Sequence, residues 1–168
     1  MAENESLDIV ELILDDHKQL KELIAVLKDS EKDLSERRAA FEKFAPLLVT
    51  HAQPEELVLY TKMKDDEELR EHGFEGEVEH QLADQLLMEA GETEDDDLWS
   101  ARVKVLAELV EHHIDEEEKE LLPEFKKHAS AEERAKLGEL FLAAKDNTKE
   151  DGSEYVPTTT RDIRQELQ

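Results

Sequence analysis

The feature that most constrains the fold is an internal repeat of two amphipathic segments. Residues 44–63 align without a gap on residues 106–125, and their apolar positions keep the same register. The aligned polar residues are His51 with His113, Glu55 with Glu117, and Glu56 with Glu118. Apolar residues that recur every three to four positions indicate amphipathic helices. The repeat therefore predicts two equivalent helices, each interrupted on its apolar face by a histidine and a glutamate four residues later.

The rest of the chain has the same helical character, since only five of 168 residues are glycine and four are proline. We predict helices over residues 7–28, 35–64, 74–90 and 98–127, with bends at Pro46, Pro54 and Pro123. Ser130 and Glu133 form a capping-box pattern that predicts a further helix to about Lys145. The expected fold is all-α, an up-down-up-down four-helix bundle with a short additional C-terminal helix. This domain spans residues 1–145, and a polar, loosely ordered tail follows over 146–168.

Composition excludes several classes of function. The absence of cysteine excludes disulfides, thiolate metal sites and cysteine nucleophiles. The net charge of −25 opposes binding to nucleic acid or to anionic membrane surfaces. The start of the chain lacks the basic and apolar regions of a signal peptide, and no apolar run is long enough to span a membrane. We expect a cytoplasmic protein.

The apolar stripes of all four long helices carry a histidine. His17 interrupts the first helix and His80 the third, in addition to His51 and His113 of the repeat. Burying such groups without partners costs several kcal/mol each, on the order of 1–7. A bound cation reverses this cost, because imidazole nitrogens and carboxylate oxygens become its ligands. The six residues predicted to form a metal site are His17, His51, Glu55, His80, His113 and Glu117.

Other acidic and histidine residues are less clearly assigned. Glu77 and Asp84 lie one helical turn before and after His80. Each is predicted either to bind the metal or to hold that histidine in place. The His-x-x-x-Glu spacing also occurs at His112 and His128, but these residues lie off the repeat register and we read them as non-ligands. The alternative without a metal is an acidic helical interaction protein, in which each His-x-x-x-Glu pair is an exposed ion pair on a helix surface.

Six or more nitrogen and oxygen ligands without sulfur exceed what one tetrahedral zinc ion needs. The ligand set fits two ions that share carboxylates, with iron, zinc and manganese as candidates and iron as the expected metal. A ferritin-like carboxylate bundle is the nearest rival. Such bundles use Glu-x-x-His on two helices, whereas the two repeated pairs here run histidine first.

The chain resembles the hemerythrin-like (HHE cation-binding) proteins over about residues 7–125. The resemblance rests on four motifs: DDHKQL around His17, HAQPEELVLY from His51, EHQLADQLL around His80 and HIDEEEKELLP from His113. It implies a non-haem centre of two iron ions, oxo- or hydroxo-bridged and carboxylate-bridged by Glu55 and Glu117. It also implies that the four histidines are terminal ligands.

The chain differs from the oxygen-carrying members of this family at one position that matters for function. Oxygen-carrying hemerythrins have a His-x-x-x-His pair on the third helix, and here the second position is Asp84. We expect a protein that binds oxygen or a related small ligand, nitric oxide or peroxide, for binding, storage or sensing. The alternative is a di-iron peroxidase-like or oxidase-like enzyme in oxidative stress or iron handling. A redox or signalling protein partner is left open.

Overall fold

The computed structural model describes residues 7–150, and within this range the chain forms five helices and no strand. The first helix is Ile9–Lys28, the third is Arg70–Gly91 and the fifth is Ala131–Glu150. The second consists of Leu34–Glu55, a π-helical turn at Glu56–Tyr60, and Thr61–Lys64. The fourth consists of Asp96–Glu116, a π-helical turn at Glu117–Leu121, and Leu122–His128. The predicted all-α bundle with an additional C-terminal helix is confirmed.

The two repeated helices continue through their prolines. Pro46 and Pro54 lie inside the second helix, and the fourth helix continues past Pro123 to His128. Each helix also contains one five-residue π-helical turn, directly after Glu55 and directly before Leu122. A π-helical turn takes one extra residue per turn, so it changes which side chains share a face. This change of register occurs at the polar residues of the repeat.

The bundle has two apolar cores with a polar layer between them. One core, here the Trp99 core, includes Leu20, Phe44, Leu48 and Val110. The other, here the Phe141 core, includes Ile13, Leu59, Tyr60 and Phe125. The buried polar residues that lie between the cores are His17, His51, Glu55, His80, His113 and Glu117. Burying so many polar groups at the centre of a bundle is costly unless they have a shared partner.

The fifth helix packs along the first and second helices. Its capping box is present, since the Glu133 N–H donates to the Ser130 hydroxyl at 3.1 Å. Gly138 allows close approach, because a Cβ there would lie 1.4 Å from the carbonyl oxygen of Leu7. Phe141 is fully buried. The helix continues to Glu150, five residues beyond the expected end, and residues 151–168 of the predicted tail lie outside the described range.

None of the helices within residues 7–150 combines the length and the apolar composition that crossing a bilayer requires.

Candidate metal centre

Four helices direct one histidine each into the polar layer. His17 and His80 come from the first and third helices, and His51 and His113 from the second and fourth. All four rings are at least nine-tenths buried. Glu55 and Glu117 join them from the repeated helices and are 0% and 1% exposed. The structure therefore brings together the six residues predicted from the stripes.

Each of the two glutamates lies between two histidines. Glu55 places Oε2 3.3 Å from Nε2 of His51 and Oε1 3.2 Å from Nε2 of His80. Glu117 places Oε2 3.3 Å from Nε2 of His17 and Oε1 2.7 Å from Nε2 of His113. Each carboxylate thus offers one oxygen to either side, which is the arrangement that two bridged cations require.

This pattern forms two adjacent groups of residues that could each hold a metal ion, here called positions A and B. Position A is formed by His17 and His51 with one oxygen of each glutamate. Position B is formed by His80 and His113 with the other two oxygens. Within each position the potential ligand atoms all lie within 4.8 Å of one another. A mixed shell of two imidazoles and two carboxylates suits zinc, iron or manganese.

Unpaired buried atoms test whether a cation fits. In the described part of the chain, the buried side-chain atoms without a hydrogen bond are Nε2 of His17, Oε2 of Glu55 and Oε2 of Glu117. All three belong to position A. Buried polar atoms without partners are rare and costly in folded proteins. A cation at position A would satisfy all three, so the residues fit a metal.

A second ring of carboxylates holds the histidines in place. The Nδ1 atoms of His17 and His51 lie 3.0 Å from Glu118 and 2.9 Å from Asp16. Those of His80 and His113 lie 2.9 Å from Glu56 and 3.4 Å from Glu79. A carboxylate accepts the Nδ1 proton, which leaves Nε2 as the inward ligand atom.

The sequence pattern did not reveal this outer ring, although the four carboxylates adjoin predicted ligands in the chain. Asp16 and Glu79 directly precede His17 and His80 in the chain. Glu56 and Glu118 directly follow the shared glutamates, at aligned positions of the repeat. Each helix of the repeat thus supports a histidine of another helix. The pairing depends on helix packing, so spacing alone could not assign it.

Tyr60 is a further residue of the centre that the sequence pattern did not reveal. Its hydroxyl lies 2.8 Å from Oε1 of Glu55 and also within hydrogen-bond distance of Oε1 of Glu117. It lies 3.3 Å and 3.1 Å from the Nε2 atoms of His80 and His113. Tyr60 follows Glu55 by five residues, and the π-helical turn brings that spacing onto one face. The phenol therefore closes position B on the side of the Phe141 core.

The metal-free centre is held together by charge. Burial lowers the pKa of His51, but the negative charge of Glu55 and the hydrogen bond to Asp16 outweigh it and raise that pKa to about 10. Burial raises the pKa of Glu55, yet the charge of His51 and hydrogen bonds from the histidines hold it well below the usual range. Burial and the charges of both glutamates raise the pKa of Tyr60 well above its ordinary value. Protons therefore occupy the places that cations would take.

The family model of the hemerythrin HHE cation-binding domain matches residues 8–125. The chain belongs to this hemerythrin family. The matched range contains all six predicted ligands, the outer carboxylates and Tyr60, and it ends before the fifth helix begins. Comparison with curated proteins and with solved structures gave no match.

Glu77 and Asp84, the other two predicted ligands, lie outside both positions of this hemerythrin-family centre. Glu77 forms an ion pair with Lys64. Asp84 is half-buried and lines the cavity that His80 also lines, but it belongs to neither position. Glu79, His112 and Glu116 form a third group close enough to hold a cation, with His112 exposed. The other two histidines with the His-x-x-x-Glu spacing lie outside the centre. His112 forms an exposed ion pair with Glu116 at 3.1 Å, and His128 contacts Asp66 and not a residue of its own helix.

A small apolar cavity adjoins the centre on the side of the Trp99 core. It has a volume of about 20 Å³, enough for one water-sized molecule. Its walls include His51, His80 and His113 together with apolar side chains such as Leu48 and Val110. Tyr60 lies in the Phe141 core, on the other side of the polar layer. The hemerythrin-family centre is therefore closed by a phenol on one side and open to a small molecule on the other.

Proposed function

We propose that this chain is a non-haem di-iron protein that binds oxygen or a related small ligand, nitric oxide or peroxide, for binding, storage or sensing. The observation that carries the proposal is the sharing of Glu55 and Glu117 between two histidine pairs. Two ions that share two carboxylates need this arrangement, and a single ion does not. Membership of the cation-binding hemerythrin family agrees with it.

The protein groups around the centre suit a small, weakly polar ligand. His17, His51, His80 and His113 would hold the two irons, with Glu55 and Glu117 between them. Iron bound there supplies a reversible change of oxidation state and a place for a small ligand. The cavity beside His80 accepts about one small molecule, and its apolar walls keep bulk water away. The outer carboxylates keep the imidazoles oriented while a ligand enters and leaves.

Iron loading tests the proposal directly, and the chain offers a matched pair of variants. His112 and His113 are adjacent, both precede a glutamate by four residues, and only His113 faces the centre. We expect the wild-type chain to bind two ferrous ions and to develop the near-ultraviolet bands of a coupled ferric pair in air. His112→Ala should retain both properties, and His113→Ala should lose at least one ion and the bands. Wild-type protein that stays colourless and metal-free would refute the proposal.

Tyr60 favours a second candidate, turnover of peroxide at the same centre. Its hydroxyl holds a proton between Glu55 and Glu117, beside both ligand nitrogens of position B. The phenol can donate a hydrogen bond to a peroxide oxygen at position B, and the protons that cleavage of the O–O bond needs come from the second peroxide molecule. Two hydrogen peroxide molecules then give two waters and one oxygen molecule without another reductant.

Oxygen release separates the two candidates. If the protein is a binding or sensing module, iron-loaded protein consumes no more peroxide than the same amount of free iron. If it turns peroxide over, oxygen evolves at half the rate of peroxide loss, and Tyr60→Phe slows both rates without lowering the iron content. Loss of iron from Tyr60→Phe would instead assign the hydroxyl a role in holding the metal.

A further inference from the structure

The two metal positions have equivalent ligands but unequal surroundings. Behind position A, both outer carboxylates carry a lysine. Asp16, which supports His51, forms an ion pair with Lys145 of the fifth helix. Glu118, which supports His17, has Lys21 at 2.6 Å. Each ammonium therefore neutralises a carboxylate that would otherwise strengthen an imidazole ligand.

Behind position B the outer carboxylates keep their charge. Glu56 supports His80 and Glu79 supports His113. Within the described range of the chain, neither has a lysine or arginine nitrogen within 4.0 Å. More acidic side chains, including Glu75, Glu116 and Glu120, line the pocket of about 50 Å³ that reaches His113 and Glu117. Position B therefore lies in a more negative environment than position A.

The physical effect of this difference has a definite sign. A hydrogen-bonded carboxylate raises the basicity of a ligand histidine, and such outer partners commonly change metal affinity by about 10- to 100-fold. A lysine on that carboxylate withdraws part of the effect and also repels the cation. The side chains of Lys145 and Asp16 are both only 19% exposed, so solvent screens their charges incompletely. Tyr60 opposes this difference, because its hydroxyl donates to the position B oxygens of Glu55 and Glu117 while the position A oxygens have no hydrogen bond. The phenol is neutral, so its effect on a cation is smaller than that of two ammonium charges.

We propose that Lys145 and Lys21 make the two metal positions unequal, so that a divalent cation fills position B first and is held more weakly at position A. This inference rests on the proposed two-ion centre. Lys145 lies in the fifth helix, beyond the residues that the family model matches. Position A is then the site from which an ion exchanges, and position B is the permanent one.

Cobalt is a suitable probe because it takes the same ligands and is located by anomalous scattering. Crystals of the full chain with one equivalent of Co²⁺ should show at least about threefold higher occupancy beside His80 and His113 than beside His17 and His51. In solution, Co²⁺ titration by calorimetry should give a tighter and a weaker step. Equal occupancies in the wild-type crystals would overturn the inference.

Variants that remove or keep the lysine charge test whether the lysines cause the difference in affinity between the two positions. Lys145→Met removes the ammonium with little change in length and should tighten the weaker step about fivefold, by Coulomb's law at intermediate dielectric. Lys21→Met should act in the same direction, less strongly because Lys21 is 45% exposed. Lys145→Arg keeps the charge and should leave both steps as in the wild type. Lys28→Met, which removes the partner of Glu111 about 16 Å along the first helix from His17, should also change neither step.

The outcomes separate this inference from the proposed function. Failure of the wild-type chain to bind two Co²⁺ ions would remove the two-ion centre itself. Two bound ions with unchanged affinities in both Lys145→Met and Lys21→Met would leave the centre intact and refute only the role of the lysines. A circular-dichroism unfolding midpoint equal to that of the wild type shows that each variant is folded.

Discussion

Replacing Gly76 with alanine should drive Tyr60 out of the metal centre. Gly76 lies inside the third helix, and an added Cβ would be 2.5 Å from Cζ and 2.8 Å from the hydroxyl oxygen of Tyr60. Real Cβ contacts are about 3.4 Å or longer, so the ring must retreat by about 1 Å. Tyr60 is fully buried, and a retreat breaks its hydrogen bonds to Glu55 and Glu117.

The expected loss of unfolding free energy in Gly76→Ala combines two destabilising effects and one stabilising effect. Overpacking a core costs about 1–3 kcal/mol. Losing hydrogen bonds to charged partners costs about 1.5–3 kcal/mol. Alanine gains about 1 kcal/mol over glycine in a helix interior. Metal-free Gly76→Ala should therefore unfold with a free energy about 1.5–5 kcal/mol below that of the wild type.

Urea unfolding of the full chain in chelator, followed by helical circular dichroism, measures this difference. Gly91→Ala is the control, because nothing lies within 4 Å of a Cβ there, and it should stay within about 0.5 kcal/mol of the wild type. The decisive comparison uses a Tyr60→Ala background, in which the clashing ring is gone and Gly76→Ala should be neutral or stabilising. A full penalty in that background, or no penalty in the wild type, would refute the contact as the cause.

Three further predictions follow from the same contacts. Tyr60→Phe should lower metal-free stability by about 1–3 kcal/mol and metal-loaded stability by less, since bound cations satisfy the carboxylates; equal losses in thermal melts would contradict this. The pKa of His51 is raised from 6.5 to about 10, so its ion pairs stabilise the metal-free protein fully below pH 6.5 and are lost as pH rises through 10. Metal loading at pH 8 should accordingly release protons, measured by calorimetry in buffers of different ionisation enthalpy, and release of none would count against the assignment. Phe141→Ala should cost about 3–5 kcal/mol in urea unfolding and Leu140→Ala, 57% exposed on the same helix, under about 0.5; similar effects would mean that the fifth helix is not part of the core.

Local periodicity was sufficient to predict the helices and the six central residues. Amphipathic spacing is a property of neighbouring positions in one helix, so the sequence carries it directly. The repeat then separated His113 from its neighbour His112, because only His113 shares the apolar register of His51. All four histidines are 8% exposed or less, which agrees with that separation. The π-helical turns were not predicted, because an inserted residue in one turn leaves the spacing of the apolar positions on either side nearly unchanged.

The remaining features of the centre depend on which helices face each other. Tyr60 reaches the ligands only because a π-helical turn places a residue five positions after Glu55 on the same face. Glu56 could have supported any nearby group, and packing assigns it to His80. Lys145 lies 129 positions from Asp16 in the chain, and no local pattern pairs them. The sequence by itself determined the helices and the residues of the repeated His-x-x-x-Glu pairs, since helical periodicity is local. Only the tertiary structure decided that both carboxylates lie between the two histidine pairs and that different charged groups lie behind each pair, since that follows from contacts between helices.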